Sequence, residues 1–427
     1  MSDRISSFPQ SSVAAVAMPP TGAPAPAAID QPGLSAAAAA KEKEPLRDSR
    51  PLNDVVVIFD LDGTLRKETL RKTAQGMVPA KVEKVAIDAL KRLCLNPHVK
   101  QVIVLSGSPM DNERTEEWRQ PNIPIREAFT EDGSPVCIFA KEIEAGKMRL
   151  FGTFGGQELQ ADGTMKGVDQ FPLKTSFAIC RIMIEKFLQE IIEKGTAEQQ
   201  QVARELQPLI PQELQNSEQP LNRTPDEFRT VAMAIREKLD PGFKIVLNGP
   251  SCAFKTVQFQ NVISQSTADV IRKTATELLS LDASTSASSG IEKSEGRDQR
   301  YLVLSKTNKN LTTQRIREEA KKRFGQVAVV AVGDGKEDFQ MFGASDLGLF
   351  VGPEDMFNTY PLPQAMLVRG REGEANQHVP GTVEVINRLI DGLGKPIYDL
   401  QYISHQGPNG KWSLVSPREL GVVPTSH

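Results

Sequence analysis

A doubly wound α/β domain carrying a second, inserted α/β domain is the fold class the sequence predicts, on three observations. Apolar runs at residues 55–58, 102–105 and 327–332 each break into a short polar loop containing glycine, as buried parallel strands do at their carboxyl ends. Between the first two runs, residues 81–95 carry Val82, Val85, Ala89 and Leu93 at helical spacing, which completes a βαβ unit. About two hundred residues then separate Ser106 from Lys309, far more than one crossover needs.

Each part of the chain has its own justification. Residues 1–51 form a low-complexity tail dominated by Ser, Pro and Ala with almost no aromatics; no apolar face there offsets the cost of ordering, so disorder is expected. Its run at residues 13–18 is short and stopped by Pro19 and Pro20, unlike a membrane span or a full secretory segment. Residues 52–110 begin the core, a Rossmann-like parallel sheet. Residues 111–299 are the expected insertion, with strands near 137–139, 148–151 and 243–247 and helices near 176–194, 225–238 and 268–281. The stripe Phe177, Cys180, Ile184, Phe187, Leu188 and Ile191 reads as packing. The Ser-rich stretch 282–297 reads as a flexible linker. The core resumes over 300–394, closing with a helix that begins around residues 380–386. Residues 395–427 form an extension in which Pro408, Asn409 and Gly410 separate two alternating runs, the mark of a hairpin.

Composition narrows the function. Of 427 residues, 39% are hydrophobic and 25% charged, near globular averages and unlike fibrous or membrane proteins. With 51 basic against 54 acidic residues and a formal net charge of -3, no basic field recommends nucleic acid as a partner. The four cysteines and four histidines lack zinc-ligand spacing. Reduced thiols fit a cytoplasmic protein, with export or organelle targeting through the tail as the alternative.

The chemistry lies at the strand ends. Phe59-Asp60-Leu61-Asp62-Gly63-Thr64 sets two carboxylates one residue apart after a buried strand. One carboxylate can attack phosphorus and the other can move a proton, so Asp60 is the candidate nucleophile and Asp62 the candidate acid/base. Thr64 and the Gly63 backbone would hold the loop near a phosphate. Read alone, the same residues also suit a simple turn. Ser106-Gly107-Ser108 offers a hydroxyl and backbone amides for phosphate oxygens. Gly333-Asp334-Gly335-Lys336-Glu337-Asp338 is a glycine-bracketed acidic loop suited to a hard divalent cation. Lys309 is the basic candidate, with Lys306 in competition.

These four segments resemble the four motifs of the haloacid dehalogenase superfamily of phosphohydrolases. The resemblance implies Asp60 as nucleophile, Asp62 as acid/base, Ser106 and Gly107 with Gly63 and Thr64 around the phosphate, and Lys309 as the charge-balancing lysine. It implies Mg2+ held by Asp60, Asp334 and Asp338, with the Asp62 carbonyl as a further ligand. A cap between the second and third motifs resembles the sugar-phosphate branch, trehalose-6-phosphate phosphatases above all, supported by Gly155, Gly156 and Glu158 at the entrance to the insertion. A magnesium-dependent phosphatase acting on a phosphorylated mono- or disaccharide follows, with a phosphomannomutase-like enzyme and a non-catalytic sensor or secreted effector as alternatives.

The chain departs from that branch at Arg66-Lys67-Glu68, where a proline-containing stretch is usual, at Gly335, where a second Asp is usual, and at Asn310, where glycine is usual. Sugar discrimination would have to come from the insertion, in which Gln157, Glu158, Lys255 and Gln258 are polar residues equally compatible with an outer surface.

Overall fold

The computed structural model describes residues 54–67, 71–73, 76–78, 81–108, 110, 125–130, 136–217, 226–247, 249, 251–259, 264–281, 285–294, 297–360, 362, 365–368, 378–393, 403–406 and 412–415. The expected tail at 1–51 lies outside them. In chain order, β1 (Val55–Phe59) precedes a small hairpin of β2 (Arg71–Thr73) and β3 (Gly76–Val78), then α1 (Lys84–Leu95) and β4 (Val99–Leu105). Short helices α2 (Ile125–Ala128) and α3 (Ala140–Glu144) lead to β5 (Met148–Gly152), β6 (Gln157–Leu159) and β7 (Met165–Gly167). Next come α4 (Leu173–Lys194), α5 (Ala197–Leu206), α6 (Arg229–Lys238), β8 (Lys244–Leu247), β9 (Ser251–Thr256), α7 (Gln265–Leu279), β10 (Ser286–Ser294) and β11 (Arg297–Ser305). The chain continues through α8 (Lys309–Phe324), β12 (Ala328–Gly333), α9 (Asp338–Ala344), β13 (Leu347–Phe350), α10 (Glu354–Thr359), β14 (Ala365–Leu367), α11 (His378–Gly392), β15 (Ile403–Gln406) and β16 (Trp412–Val415).

The larger sheet has the order β14-β13-β12-β1-β4-β5-β6-β7. It is parallel from β14 to β5 and antiparallel beyond. Strand side chains alternate between faces, and β1 shows why both faces must be covered. Val55, Val57 and Phe59 join one core with Ala86, Leu90 and Leu93 of α1 and Val385, Ile386 and Leu389 of α11. Val56 and Ile58 join another with Ile316 and Ala320 of α8 and Met341 and Phe342 of α9. That continuous burial is why β1 reads Val-Val-Val-Ile-Phe without polar interruption. On α1 the buried residues are Ala86, Ala89, Leu90, Leu93 and Cys94, while Val85, expected on the apolar stripe, is exposed.

The second layer is a four-stranded antiparallel sheet, β10-β11-β9-β8. Its apolar face, with Ile245, Leu247, Cys252, Phe254, Leu302 and Leu304, packs with residues of α4, α6 and α7. Phe187 of α4 is central, stacking on Phe243 at 5.1 Å between ring centroids and meeting Phe254 and Phe259. The packing stripe read on this helix is buried throughout.

Several expected boundaries shift. The strand at 148–151 forms, but as β5 it pairs parallel with β4 in the larger sheet, and β6 and β7 extend that sheet further. Residues 137–139 form a single bridge from Cys137 to Thr130 followed by a turn, and Cys137 and Phe139 are buried in the larger core. Thus the sheet that begins before residue 110 continues to Gly167. Most of the stretch read as a flexible linker is the edge strand β10, paired along its whole length with β11; its serines and Gly290 follow from an edge position, where no second neighbour demands a β-branched side chain. The resumption set at residue 300 falls inside β11, which still belongs to the smaller sheet. Of the C-terminal extension, β15 and β16 pair antiparallel from Ile403 with Val415 to Gln406 with Trp412. Among the described residues no helix is long and apolar enough to cross a membrane.

Phe187→Ala should remove about 3–5 kcal/mol from the stability of the smaller layer, measured as lost amide protection of β8 and β9 in hydrogen exchange under increasing urea.

Candidate active site

Three adjacent parallel strands deliver the candidate residues to one sheet edge. Phe59 of β1 lies in register with Val332 of β12 and Val104 of β4. The next residues therefore leave the sheet together: Asp60 after β1, Asp334 after β12 and Ser106 after β4. Carboxyl ends of neighbouring parallel strands are where open α/β sheets gather ligands. The Asp60 amide still donates to the Val332 carbonyl at 2.9 Å, which fixes its backbone at that edge.

Lys309 arrives from outside the sheet. It is the first residue of α8, whose start is capped by the Asn308 side chain accepting from the Leu311 amide at 2.8 Å. Its Nζ donates to Asp60 Oδ1 at 2.6 Å and to Asp338 Oδ1 at 2.5 Å, all three groups being buried. Asp338, the first residue of α9, accepts on Oδ2 from the amides of Asp334 and Gly335, each at 2.8 Å. Gly335 thus contributes a backbone donor to the acidic loop. Of the two lysine candidates, Lys309 bridges the carboxylates, whereas Lys306 lies over the Phe171 ring at 5.9 Å.

Carboxylate oxygens of Asp60, Asp334 and Asp338 lie within 4.8 Å of one another, all on buried residues. Burial, followed by the charges of Asp338, Asp334 and Asp62, pushes the Asp60 carboxyl well above its ordinary range despite Lys309. Burial alone would lower the Lys309 pKa, but Asp338 and Asp60 outweigh it and hold the ammonium above an ordinary lysine. Four acidic side chains, Asp60, Asp62, Asp334 and Asp338, face two cations, Lys309 and Arg66. Three buried carboxylates, two of them sharing one ammonium, form an all-oxygen donor set that fits a hard divalent ion such as Mg2+.

Other expected residues meet partners within this cluster. Thr64 Oγ1 donates to Asp334 Oδ1 at 2.7 Å. Gly63 has φ +81°, and a Cβ there would stand 2.0 Å from the Asp334 carboxylate, so only glycine allows the turn and the acid to approach. Its amide donates to the Arg66 carbonyl at 2.8 Å. Gly63 and Thr64 therefore shape the acidic cluster directly. Gly107 lies beneath Phe154, whose ring would be 2.8 Å from an added Cβ.

The Asp62 carboxylate has partners of its own. Its Oδ1 accepts from Nε and Nη2 of Arg66, both at 2.7 Å, and its Oδ2 accepts from Ser108 Oγ at 2.9 Å and more distantly from Ser106 Oγ at 3.4 Å. Arg66 is only 1% exposed. In the sequence Arg66 stands only as a departure from the family pattern and Ser108 has no assigned role; the available signal was an arginine four residues beyond an acid in a glycine turn.

A further structure joins the serine loop to the lysine helix. Thr153, Phe154 and Gly155 all have left-handed φ, at 49°, 56° and 97°, a costly run for a threonine and a phenylalanine. The Phe154 amide donates to the Ser106 carbonyl and the Thr153 amide to the Ser108 carbonyl, both at 2.9 Å. From the other side, Thr307 Oγ1 donates to the Thr153 carbonyl at 3.1 Å, Thr312 Oγ1 to the Phe154 carbonyl at 2.6 Å and Arg315 to the Gly155 carbonyl at 3.0 Å.

The four polar residues of the expected insertion separate. Gln157 is buried in the larger sheet, its Oε1 accepting from the Met110 amide and from Thr153 Oγ1. Glu158 pairs with Arg149 at 2.6 Å. Lys255 is half-buried on β9 and Gln258 is exposed after it.

No protein-family model matches the chain, and no curated protein matches it in sequence. Among solved structures, it is similar to trehalose-6-phosphate phosphatase of Aspergillus fumigatus, with a TM-score of 0.36 and 13% identity over 78% of this chain and 93% of that one. A haloacid dehalogenase-like hydrolase of Bacteroides thetaiotaomicron gives 0.36 and 14% over 79% and 99%. The C-terminal domain of the C. albicans trehalose-6-phosphate phosphatase gives 0.34 and 11% over 80% and 93%.

Gly63→Ala should weaken Mg2+ binding about 10–100-fold by displacing Asp334, measured by isothermal titration. Lys309→Ala should cost about 3–5 kcal/mol of stability in metal-free protein, because it strands Asp60 and Asp338; added Mg2+ should restore part of that loss in thermal melts.

Proposed function

We propose that the chain is a divalent-metal-dependent phosphohydrolase of the haloacid dehalogenase type that cleaves a phosphomonoester through an aspartyl-phosphate. The observation that carries this reading is the convergence of Asp60, Lys309, Asp334 and Asp338, drawn from three distant segments, on one buried point at the strand ends. A merely structural turn at Asp60 has no need of a buried lysine shared between two acids.

In the first step an Asp60 oxygen attacks phosphorus, the new O–P bond forms, and the bond to the leaving alcohol breaks as Asp62 passes a proton to the departing oxygen. In the second, water attacks the same phosphorus and gives its proton to Asp62; the Asp60 O–P bond breaks and inorganic phosphate leaves. Lys309 offsets charge on the phosphoryl oxygens and keeps Asp60 oriented. Ser106 supplies a hydroxyl and the loop after β4 supplies amides toward the phosphate. Asp60, Asp334 and Asp338 would hold Mg2+, with the Asp62 carbonyl as a further ligand, and the ion supplies charge neutralisation at the phosphoryl group.

For the substrate we propose a phosphorylated sugar, with trehalose 6-phosphate first among candidates. The support is the sequence resemblance together with a separate α/β layer between the Ser106 and Lys309 segments, able to contribute contacts that a phosphate-reading core lacks. The reading is that of a cytoplasmic enzyme, and the charge balance that disfavours nucleic acid agrees with a small anionic substrate.

A phosphate-release panel of phosphorylated mono- and disaccharides, with Mg2+ and with EDTA, tests the proposal. Turnover should require the metal and fall at least about 10⁴-fold in Asp60→Asn, with circular dichroism unchanged; a folded Asp60→Asn protein that still turns over at the wild-type rate removes the covalent mechanism.

A further inference from the structure

The Asp62 carboxylate has every oxygen committed before any substrate arrives. Two guanidinium nitrogens of buried Arg66 reach Oδ1, and two serine hydroxyls reach Oδ2. These are two kinds of tether. The guanidinium is a planar fork on a side chain that is 1% exposed, returned to Asp62 by a tight turn in which the Leu65 and Arg66 amides donate to the Leu61 carbonyl; it is rigid. Ser108 Oγ turns about one bond, and its neighbour Ser106 Oγ already accepts from the Ser108 amide at 3.0 Å.

An alcohol leaving from phosphorus needs a proton from an oxygen that faces it. With Oδ1 already meeting two Arg66 nitrogens, that oxygen is Oδ2, and Oδ2 is held by the hydroxyls that lie in the phosphate loop. Phosphoryl oxygens are stronger acceptors in greater number than one carboxylate oxygen. We infer that Arg66 is a positioning residue that pivots Asp62, and that Ser108 is a further phosphate-binding residue whose hydroxyl moves from Asp62 Oδ2 to a phosphoryl oxygen when substrate binds, freeing Oδ2 to take the proton carried by the phosphomonoester monoanion and pass it to the leaving oxygen as the bond from that oxygen to phosphorus breaks. The acid/base is thereby armed by the phosphoryl group itself. This inference rests on the phosphohydrolase reading of the site and adds to it a residue-level order of events.

Opposite kinetic signatures test it. Arg66→Met should lower kcat for an alkyl phosphate by about 10²-fold or more with KM close to wild type. With p-nitrophenyl phosphate, whose leaving group departs without a proton, the same variant should keep its pre-steady-state burst of p-nitrophenolate within a few-fold and then turn over slowly, because Asp62 is needed again to activate water. Ser108→Ala should raise KM several-fold for both substrates while kcat is held or increased. An equal fall in the burst and in alkyl phosphate turnover for Arg66→Met would assign Arg66 a structural role only and overturn the pivot. A drop in kcat without a rise in KM for Ser108→Ala would overturn the exchange of its hydroxyl. If the wild-type protein releases no phosphate from either substrate with Mg2+ present, the phosphohydrolase reading falls, and this inference with it.

Discussion

The ammonium of Lys309 between Asp60 and Asp338 is the constraint around which the rest of the molecule is arranged. Two carboxylates taken out of water carry a large desolvation cost, which close pairing and full hydrogen bonding offset. One nitrogen meets both at hydrogen-bond distance, and the backbone amides of Asp334 and Gly335 satisfy the other Asp338 oxygen. To place these groups together, β1 and β12 must be neighbours in register, α8 must begin at residue 309, and α9 must begin at residue 338. The parallel order of the central strands and the helix starts are thus parts of one electrostatic solution. The carboxylates in excess of this one ammonium are the donor set on which the proposed metal site rests.

Much of this was legible in the sequence because local pattern and chemistry coincide there. β1, β12 and the last four residues of β4 are buried on both faces, so they appear as apolar runs, and acids or a serine follow their ends. Asp60, Asp334, Asp338 and Ser106 were visible for that reason. Lys309 was visible only as one of two lysines, since the choice depends on how α8 is phased by the Asn308 cap, and Lys306 three residues earlier is diverted to an aromatic ring. Gly63 and Thr64 were recognisable as site residues, but their contact with Asp334 follows from a fold-back across 270 positions in sequence, which no local spacing reveals.

The less legible regions have equally physical causes. β5 carries the apolar alternation of any strand, and only its pairing with β4 tells whether it ends the first sheet or begins the second. β10 begins Ser-Ala-Ser-Ser-Gly, residues with weak strand preference, and becomes a strand through its partner β11. Arg66 stands in the sequence only as a departure from the family pattern; an arginine is seldom 1% exposed, and its burial depends on the turn that sends it back to Asp62. The left-handed Thr153 and Phe154 carry no sequence signal at all, since neither residue prefers that conformation. They are held there by their own amides donating to the Ser106 and Ser108 carbonyls and by Thr307 and Thr312 donating to their carbonyls, so both loops that flank the acids hold the strained turn.

The short step from β11 to α8 has a consequence for how this chain can vary in length. β11 ends at Ser305 in the smaller sheet and Lys309 opens α8 at the acids, so three residues, 306–308, span the two layers. Each residue of an α-helix advances the side chain by about 100°. One residue added or lost within that span has to be absorbed by this three-residue joint, or it carries the ammonium off both carboxylates and the Thr312 hydroxyl off the Phe154 carbonyl. The joint therefore acts as an indexing step, with the strand setting depth and the cap residue Asn308 setting angle. Length changes elsewhere in the smaller layer, for example at the edge beside β10, meet no such phase requirement, so variation in size can collect at that edge while the passage into α8 keeps its count.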